Sequence, residues 1–204
     1  MKKIFPVLTY VNIPNVLTTL GLVCGMVACY FLVQGNLQAA IVALFFAGVM
    51  DLFDGYLASL LNQQTKFGQH VDGLVDFFTC CIMPLWMVFL FLGSYPLVLA
   101  GMAFYTICGL WRLAYYNVLA TEKPPQEGAR KYFTGLPVPG AMMAVTISFW
   151  IIITYELPAL IMAAVFLAIG LLMISGIQLP KYGLWQKVLW GAGLVFMVVM
   201  LFFA

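Results

Sequence analysis

Long apolar runs separated by short polar stretches dominate the chain from residue 15 to its end. Most runs are long enough to cross the hydrocarbon core of a bilayer as a helix, which takes about 20 apolar residues. Ahead of the first run, residues 2–12 mix lysine with apolar side chains, which is typical of a segment lying at the membrane surface. The pattern therefore predicts one membrane-embedded domain, residues 1–204, with this interfacial segment and a six-helix core plus one further helix. The seven predicted spans are 15–34, 37–61, 67–93, 96–119, 137–155, 158–175 and 188–204.

The composition favours an all-α polytopic transmembrane bundle. Hydrophobic residues make up 65% of the chain and charged residues 8%, and the mean hydropathy is +1.06. A soluble domain of 204 residues cannot bury that much apolar side chain. The five cysteines lie in apolar runs without a C-x2-C pair, which indicates buried thiols rather than a disulfide or zinc framework. We expect membrane lipids as partners and no nucleic acid.

The positive charges sort to one side of the predicted bundle. All nine lysines and arginines fall at the N-terminus, in alternate connections, or near the same end of the fourth helix. The opposite side carries only Glu156. Because lysine and arginine concentrate in cytoplasmic loops, the charged side is predicted to be the cytoplasm, for an integral protein of the cell membrane.

Residues 51–76 concentrate the candidate chemistry. Four of the seven acidic residues lie here between apolar runs, namely Asp51, Asp54, Asp72 and Asp76. A carboxylate at membrane depth is costly, so it indicates a functional site. The i,i+3 and i,i+4 spacings place each pair on one face of its helix, and a polar turn at 62–66 lets the two pairs face each other.

Four facing carboxylates repel one another unless a cation lies between them. Hard oxygen ligands suit Mg²⁺, Mn²⁺ or Ca²⁺, so we expect one or two divalent cations. Small residues beside the acids let a ligand or a neighbouring backbone approach, and they are Gly55, Ala58, Gly68 and Gly73. Spacing alone leaves open a second class, the cation or proton pathway of a transporter.

Arg112 is predicted to lie in the same layer as the acids. It follows Pro96 by about 24 Å of helix at 1.5 Å per residue, which places it in the cytoplasmic third of the bilayer. An intramembrane cation usually has a partner, so a phosphate or carboxylate is favoured over simple snorkelling. Arg130 and Lys131 fit ligand binding and membrane anchoring equally well. The remaining polar candidates are predicted to be a surface histidine and interfacial aromatics: His70, Trp111, Tyr115, Tyr116 and Tyr132.

The acid stretch resembles the signature of the CDP-alcohol phosphatidyltransferase family, D-x2-D-G-x2-A-R-x8-G-x3-D-x3-D. The four acids, three small residues and every spacing match, while Ser59 stands where the family usually has arginine. The resemblance implies that the four acids hold two divalent cations, Mg²⁺ or Mn²⁺, and that Asp76 is also the general base. It implies a homodimer as well. Donor-side contacts are implied for Gly55, Ala58, Ser59, Gly68, Asn15 and Thr18.

Further segments resemble the branch of that family that uses CDP-diacylglycerol and serine. They are I-P-N-V-L-T-T-L-G-L-V-C-G at 13–25, W-R-L-A-Y-Y-N at 111–117, F-T-G-L-P-V-P-G-A at 133–141 and L-M-I-S-G-I-Q-L-P-K at 172–181. Tyr115 and Gly176 depart from that branch, which has arginine and asparagine there.

This likeness implies phospholipid biosynthesis by metal-dependent transfer of a phosphatidyl group to the serine hydroxyl, giving phosphatidylserine and CMP. Arg112, Arg130 and Lys131 would then bind the acceptor or a phosphate. Two alternatives stay open: the same chemistry with choline, inositol phosphate or glycerol phosphate, and an ion-coupled transporter.

Overall fold

Helices dominate the part of the chain that the structure describes. This computed structural model describes residues 5–93, 95–122, 132–180, 191, 193–198 and 200. A 3-10 helix comes first, Pro6–Tyr10, and the main helices follow in this order: α1 (Ile13–Val33), α2 (Leu37–Leu60), α3 (Lys66–Asp76), a π-helical turn (Phe77–Ile82), α4 (Met83–Leu92), α5 (Pro96–Glu122), α6 (Val138–Thr154) and α7 (Leu160–Ile174). The prediction of a membrane-type helical bundle is confirmed.

Four helical stretches are long and apolar enough to cross a membrane. They are Ile13–Val33, Leu37–Leu60, Lys66–Leu92 and Pro96–Leu119. Helices α6 and α7 are shorter apolar helices of 17 and 15 residues. The predicted helix at 67–93 is one continuous span, built from α3, the π turn and α4. Much of the predicted helix 188–204 lies outside the described residues, and its described positions, 191, 193–198 and 200, are helical.

Side-chain caps define where the first helices begin. Asn12 accepts a hydrogen bond from the Asn15 backbone N–H at the start of α1 (2.9 Å). Asn36 and Thr65 do the same for α2 and α3, at 3.0 Å each. Such caps satisfy N–H groups that have no partner within the helix, and each contributes about 1 kcal/mol. The polar turns therefore fix the ends of the helices that carry the acids.

The core packs α5 against α7 and against the π turn. Tyr105 of α5 is fully buried and lies against Phe166 of α7, with ring centroids 5.4 Å apart. Its hydroxyl donates to the Cys80 carbonyl in the π turn (2.8 Å). A buried tyrosine needs such a partner because an unpaired hydroxyl is costly away from water. This bond ties α5 to the span that carries Asp72 and Asp76.

A small antiparallel sheet joins two of the segments that connect the predicted spans. Strand β1 (Tyr132–Thr134) pairs with β2 (Gln178–Pro180), with Phe133 opposite Leu179. Directly after β1, Gly135 has φ +73° and donates its N–H to the Ile177 carbonyl (2.7 Å). An added Cβ at Gly135 would lie 2.3 Å from the Met173 carbonyl oxygen, so only glycine fits there. The F-T-G-L-P segment is thereby held against the end of α7.

Candidate active site

Three carboxylates from the neighbouring helices α2 and α3 converge in one small volume. Asp51 lies on α2, and Asp72 and Asp76 lie on α3 with the i,i+4 spacing that places them on one face. One carboxylate oxygen from each residue lies within 4.8 Å of the other two. All three residues are half-buried. The structure therefore brings together three of the four acids that the sequence singles out.

The fourth acid, Asp54, lies outside this group of three oxygen atoms and is bound to α1. It is 5% exposed, and its carboxylate accepts a hydrogen bond from the Thr18 hydroxyl. The Thr18 hydroxyl also lies 3.1 Å from the Pro14 carbonyl. Thr18 thus holds the Asp54 carboxylate in a fixed orientation one helical turn from Asp51.

The π turn, Phe77–Ile82, follows Asp76 directly. The N–H of Met83 donates to the carbonyl of Phe78, five residues earlier, which is the π-helical pattern. Such turns are rare and frequently lie at functional sites. Here the turn shifts the helical phase between the polar start and the apolar end of one span. Asp76, the last residue of α3, contributes to the cluster, while the span after it contributes buried residues to the core, including Cys80, Cys81 and Met83.

Arg112 is a buried cation with free donors beside the acids. It is 7% exposed, and its Nε and Nη2 atoms have no hydrogen-bond partner among the described residues. The guanidinium carbon lies 5.3 Å from the centre of the Tyr116 ring. It is also close enough to the Asp76 carboxylate for their charges to attract. Because buried polar groups are nearly always hydrogen-bonded, these free donors favour an anionic ligand.

The small residues of the acid stretch have different surroundings. An added Cβ at Gly55 would meet no described atom within 4 Å, so the space beside the acids is open there. At Gly68 the added Cβ would lie 2.6 Å from the Asn15 Oδ1 atom, so glycine makes room for that side chain. Ala58 is half-buried, and Ser59, at the position where the family usually has arginine, is exposed.

Several other predicted residues lie apart from the acid cluster or beyond the described ranges. Arg130 and Lys131 are outside the described residues. His70 is exposed on α3 and is not one of the three clustered ligands. Trp111 and Tyr115 are 69% and 53% exposed, as interfacial aromatics would be.

Two contacts of the site were not predicted. Tyr116 lies against Arg112 rather than standing alone in an aromatic belt. Asn117 lies against Gly73, the residue that follows Asp72 on α3. An added Cβ at Gly73 would be 3.1 Å from the Asn117 Nδ2 atom. The signal for Asn117 was its place in W-R-L-A-Y-Y-N, about one and a half helical turns after Arg112.

The donor set fits a hard divalent cation. Three carboxylates offer oxygen atoms within one small volume, and a fourth is fixed nearby. Mg²⁺ and Mn²⁺ prefer such ligands, and a cation relieves the repulsion between the carboxylates. With a cationic Arg112 alongside, the arrangement suits the binding of a diphosphate or another polyanion.

Comparisons with known proteins agree with this chemistry. A sequence model of the CDP-alcohol phosphatidyltransferase family matches residues 11–199. The chain is similar to the CDP-diacylglycerol–serine O-phosphatidyltransferase of Bacillus subtilis (strain 168), with 27% identity over 173 residues, which are 83% of this chain and 90% of that protein. It is 29% identical to the archaetidylserine synthase of Methanothermobacter thermautotrophicus over 85% of this chain and 71% of that protein.

The chain also resembles longer proteins. It is 26% identical over 133 residues to a CDP-diacylglycerol–serine O-phosphatidyltransferase of Mycobacterium tuberculosis (strain ATCC 25618 / H37Rv), and the match covers 65% of this chain and 46% of that protein. The family model, in contrast, spans nearly the whole chain, including all four acids and Arg112. By its sequence, its apolar helices and its acid cluster, the chain belongs to the CDP-alcohol phosphatidyltransferase family of membrane enzymes.

Proposed function

We propose that the protein transfers a phosphatidyl group from CDP-diacylglycerol to the hydroxyl of L-serine, giving phosphatidylserine and CMP. The observation that carries the proposal is the convergence of Asp51, Asp72 and Asp76 next to a buried Arg112 with free donors. Relatives named for serine as acceptor support the choice of substrate. The metal and the acceptor are both part of the proposal.

The acids are assigned to the metal site. Asp51, Asp72 and Asp76 would hold Mg²⁺ or Mn²⁺, and Asp54 would complete a set for two ions. When bound, such ions act as Lewis acids toward the donor diphosphate and offset the charge on the departing CMP. The chain's contribution is to fix the carboxylates: α2 and α3 bring them together, and Thr18 orients Asp54.

Asp76 is assigned a second role as general base. One of its oxygens accepts the proton of the serine hydroxyl while the serine oxygen attacks the lipid-side phosphorus. A new P–O bond to serine forms, and the bond between that phosphorus and the oxygen of CMP breaks. The positive charge of Arg112, together with a bound metal ion, would offset the repulsion among the acids and favour the ionised Asp76 carboxylate that a general base needs.

Arg112 is also assigned to the acceptor. Its Nε and Nη2 donors form a planar fork that matches the two oxygens of a carboxylate. Serine has such a carboxylate, whereas choline and ethanolamine lack one and would leave the buried donors unpaired. Arg130 and Lys131 are assigned as additional cations for the acceptor or a phosphate, carried by the segment before β1.

The donor is assigned to the open side of the acid stretch. Gly55 leaves room for the close approach of a nucleotide, and Ala58, Ser59 and Gly68 lie along the same two helices. Asn15 and Thr18, also assigned to this side, act at least partly by holding other site residues, because both are hydrogen-bonded within the protein.

The orientation follows from the charge distribution. The site would face the cytoplasm, where the nucleotide-bearing donor and serine are available, and the protein would work as a homodimer in the cell membrane. Cysteines placed at positions 126 and 94 of a cysteine-free variant should react with impermeant maleimide from opposite sides, with 126 reacting from the cytoplasm. Reaction of both from one side would contradict the proposed topology.

The test of the function is CMP release from CDP-diacylglycerol by the purified protein. Serine, choline, ethanolamine, inositol phosphate and glycerol phosphate are each supplied alone, with and without Mg²⁺ or Mn²⁺. We expect release with serine and metal only. Release with another alcohol would replace the acceptor and keep the chemistry, whereas no release with any alcohol would favour the ion-coupled transporter.

A further inference from the structure

The residues ahead of α1, together with its first residue, expose an apolar surface. Within residues 5–13, which we call the strap, Phe5, Val7, Leu8, Val11 and Ile13 are each more than half exposed. The 3-10 helix Pro6–Tyr10 buries none of its residues. An exposed apolar surface of this kind indicates an interaction site for a partner or a membrane.

The strap is nevertheless attached to the hairpin that carries the acids. The rings of Tyr10 and Phe67 stack with centroids 4.6 Å apart and planes 15° from parallel. Asn12 Nδ2 lies 3.5 Å from the Gln63 carbonyl in the turn between α2 and α3. The strap thus contacts both the turn and the first residues of α3.

Asn15 links the strap to the start of α3. Its Nδ2 atom donates to the Tyr10 carbonyl (2.8 Å), so its orientation depends on the position of the strap. Its Oδ1 atom occupies the space where Gly68 would carry a Cβ, at 2.6 Å. Gly68 lies one helical turn before Asp72, on the same face of α3. Displacement of the strap would therefore remove the hydrogen bond that orients Asn15 against α3, one helical turn before Asp72.

The bilayer surface is the occupant that fits the strap. The strap leads directly into α1, a membrane span of 21 residues, so its apolar side chains lie at the end of that span. Lys2 and Lys3 precede the strap in the sequence, and Lys66 beside it is exposed. Apolar side chains bordered by lysines match the boundary between acyl chains and anionic headgroups.

We propose that the strap docks on the headgroup layer of the bilayer and, through Tyr10 and Asn15, holds α3 where Asp72 reaches Asp51 and Asp76. The strap residues are positioning residues, since they act on the metal site through α3. The interpretation of CMP release rests on the proposed function. Hydrogen–deuterium exchange and Mn²⁺ binding can be measured whatever reaction the protein catalyses.

Docking is tested by hydrogen–deuterium exchange of the strap amides in nanodiscs and in detergent micelles. Nanodiscs of phosphatidylcholine alone are compared with nanodiscs that also contain phosphatidylglycerol. We expect the slowest exchange with phosphatidylglycerol, and faster exchange for Leu8→Glu but not for the control Leu8→Ile. Equal, fast strap exchange in all three environments would overturn the docking.

Coupling is tested by Mn²⁺ binding, followed by electron paramagnetic resonance, in the same nanodiscs. Tyr10→Ala and Leu8→Glu should each weaken Mn²⁺ binding about tenfold, the lower end of the effect of residues that orient metal ligands. Tyr10→Phe, which keeps the ring stacked on Phe67, should bind Mn²⁺ like the wild type. Leu8→Glu replaces an exposed residue, so it reports on coupling even where Tyr10→Ala fails to fold.

Unchanged Mn²⁺ affinity in folded Leu8→Glu would overturn the coupling. These readouts separate the inference from the function, because they need no substrate. If the wild-type protein binds Mn²⁺ through the strap-dependent site but releases no CMP with any alcohol, the proposed function fails and the strap stands. If CMP release is normal in all strap variants, the strap inference fails and the function stands.

Discussion

Replacing Arg112 by lysine should separate acceptor recognition from the rest of the reaction. Lysine keeps the positive charge near Asp76 but loses the planar fork formed by Nε and Nη2, which are buried without partners among the described residues. One hydrogen bond to a charged group contributes about 1.5–3 kcal/mol. Because each 1.4 kcal/mol is a factor of ten, kcat/KM for serine should fall by about 10- to 150-fold.

The assay compares L-serine with L-serine methyl ester, which lacks the carboxylate charge. Wild-type protein should favour serine strongly, and Arg112→Lys should use the two acceptors at similar rates, with the KM for CDP-diacylglycerol unchanged. Tyr115→Phe is the control, since Tyr115 lies three residues further along α5 and is 53% exposed. An equal loss for serine and its ester would refute the assignment of Arg112 to the carboxylate.

Two further substitutions test supporting contacts of the fold and site. Gly135→Ala should lower the free energy of unfolding by more than about 1 kcal/mol, because Gly135 has φ +73° and the added Cβ would lie 2.3 Å from the Met173 carbonyl oxygen. The control Gly176→Ala, whose added Cβ meets nothing within 4 Å, should leave it unchanged. Equal melting temperatures for the two variants would contradict the packing at Gly135. Thr18→Val removes the hydroxyl that donates to the buried Asp54 carboxylate, so it should lower the free energy of unfolding by about 1–3 kcal/mol. Thr18→Ser keeps a hydroxyl and should restore the stability. A wild-type melting temperature for Thr18→Val would argue against this hydrogen bond.

The helices and the acid cluster were predictable because both follow local rules. Apolar runs of membrane length fix the spans, and helical spacing places Asp72 and Asp76 on one face. The fold of the hairpin that brings Asp51 to them follows from the short polar turn. These features depend on a few neighbouring residues, so the sequence alone carries them.

The contacts between distant segments were not predictable. The pairing of β1 with β2 joins residues more than forty positions apart through backbone hydrogen bonds, which no side-chain pattern encodes. The strap contact of Asn15 with Gly68 likewise depends on how α1 packs on the hairpin. The sequence marked Asn15 as a candidate only through family resemblance, and the structure adds the bond to Tyr10 that gives it a supporting role.

The division between Asp54 and the other three acids was also invisible in the sequence. The one-face spacing of both pairs suggests one group of four carboxylates, but burial against Thr18 draws Asp54 toward α1. The π turn after Asp76 could not be predicted either, since its sequence, F-F-T-C-C-I, is typical of an ordinary apolar α-helix. Both departures arise from tertiary packing around the site rather than from helix propensity.

The central claim is that the acid cluster binds the divalent cation on which catalysis depends. The most direct measurement is Mn²⁺ binding together with serine-dependent CMP release for Asp72→Asn, which removes one ligand charge and keeps the side-chain size. We predict a folded protein that binds Mn²⁺ far more weakly and releases no measurable CMP. Wild-type Mn²⁺ affinity and near-normal CMP release in folded Asp72→Asn would contradict the claim.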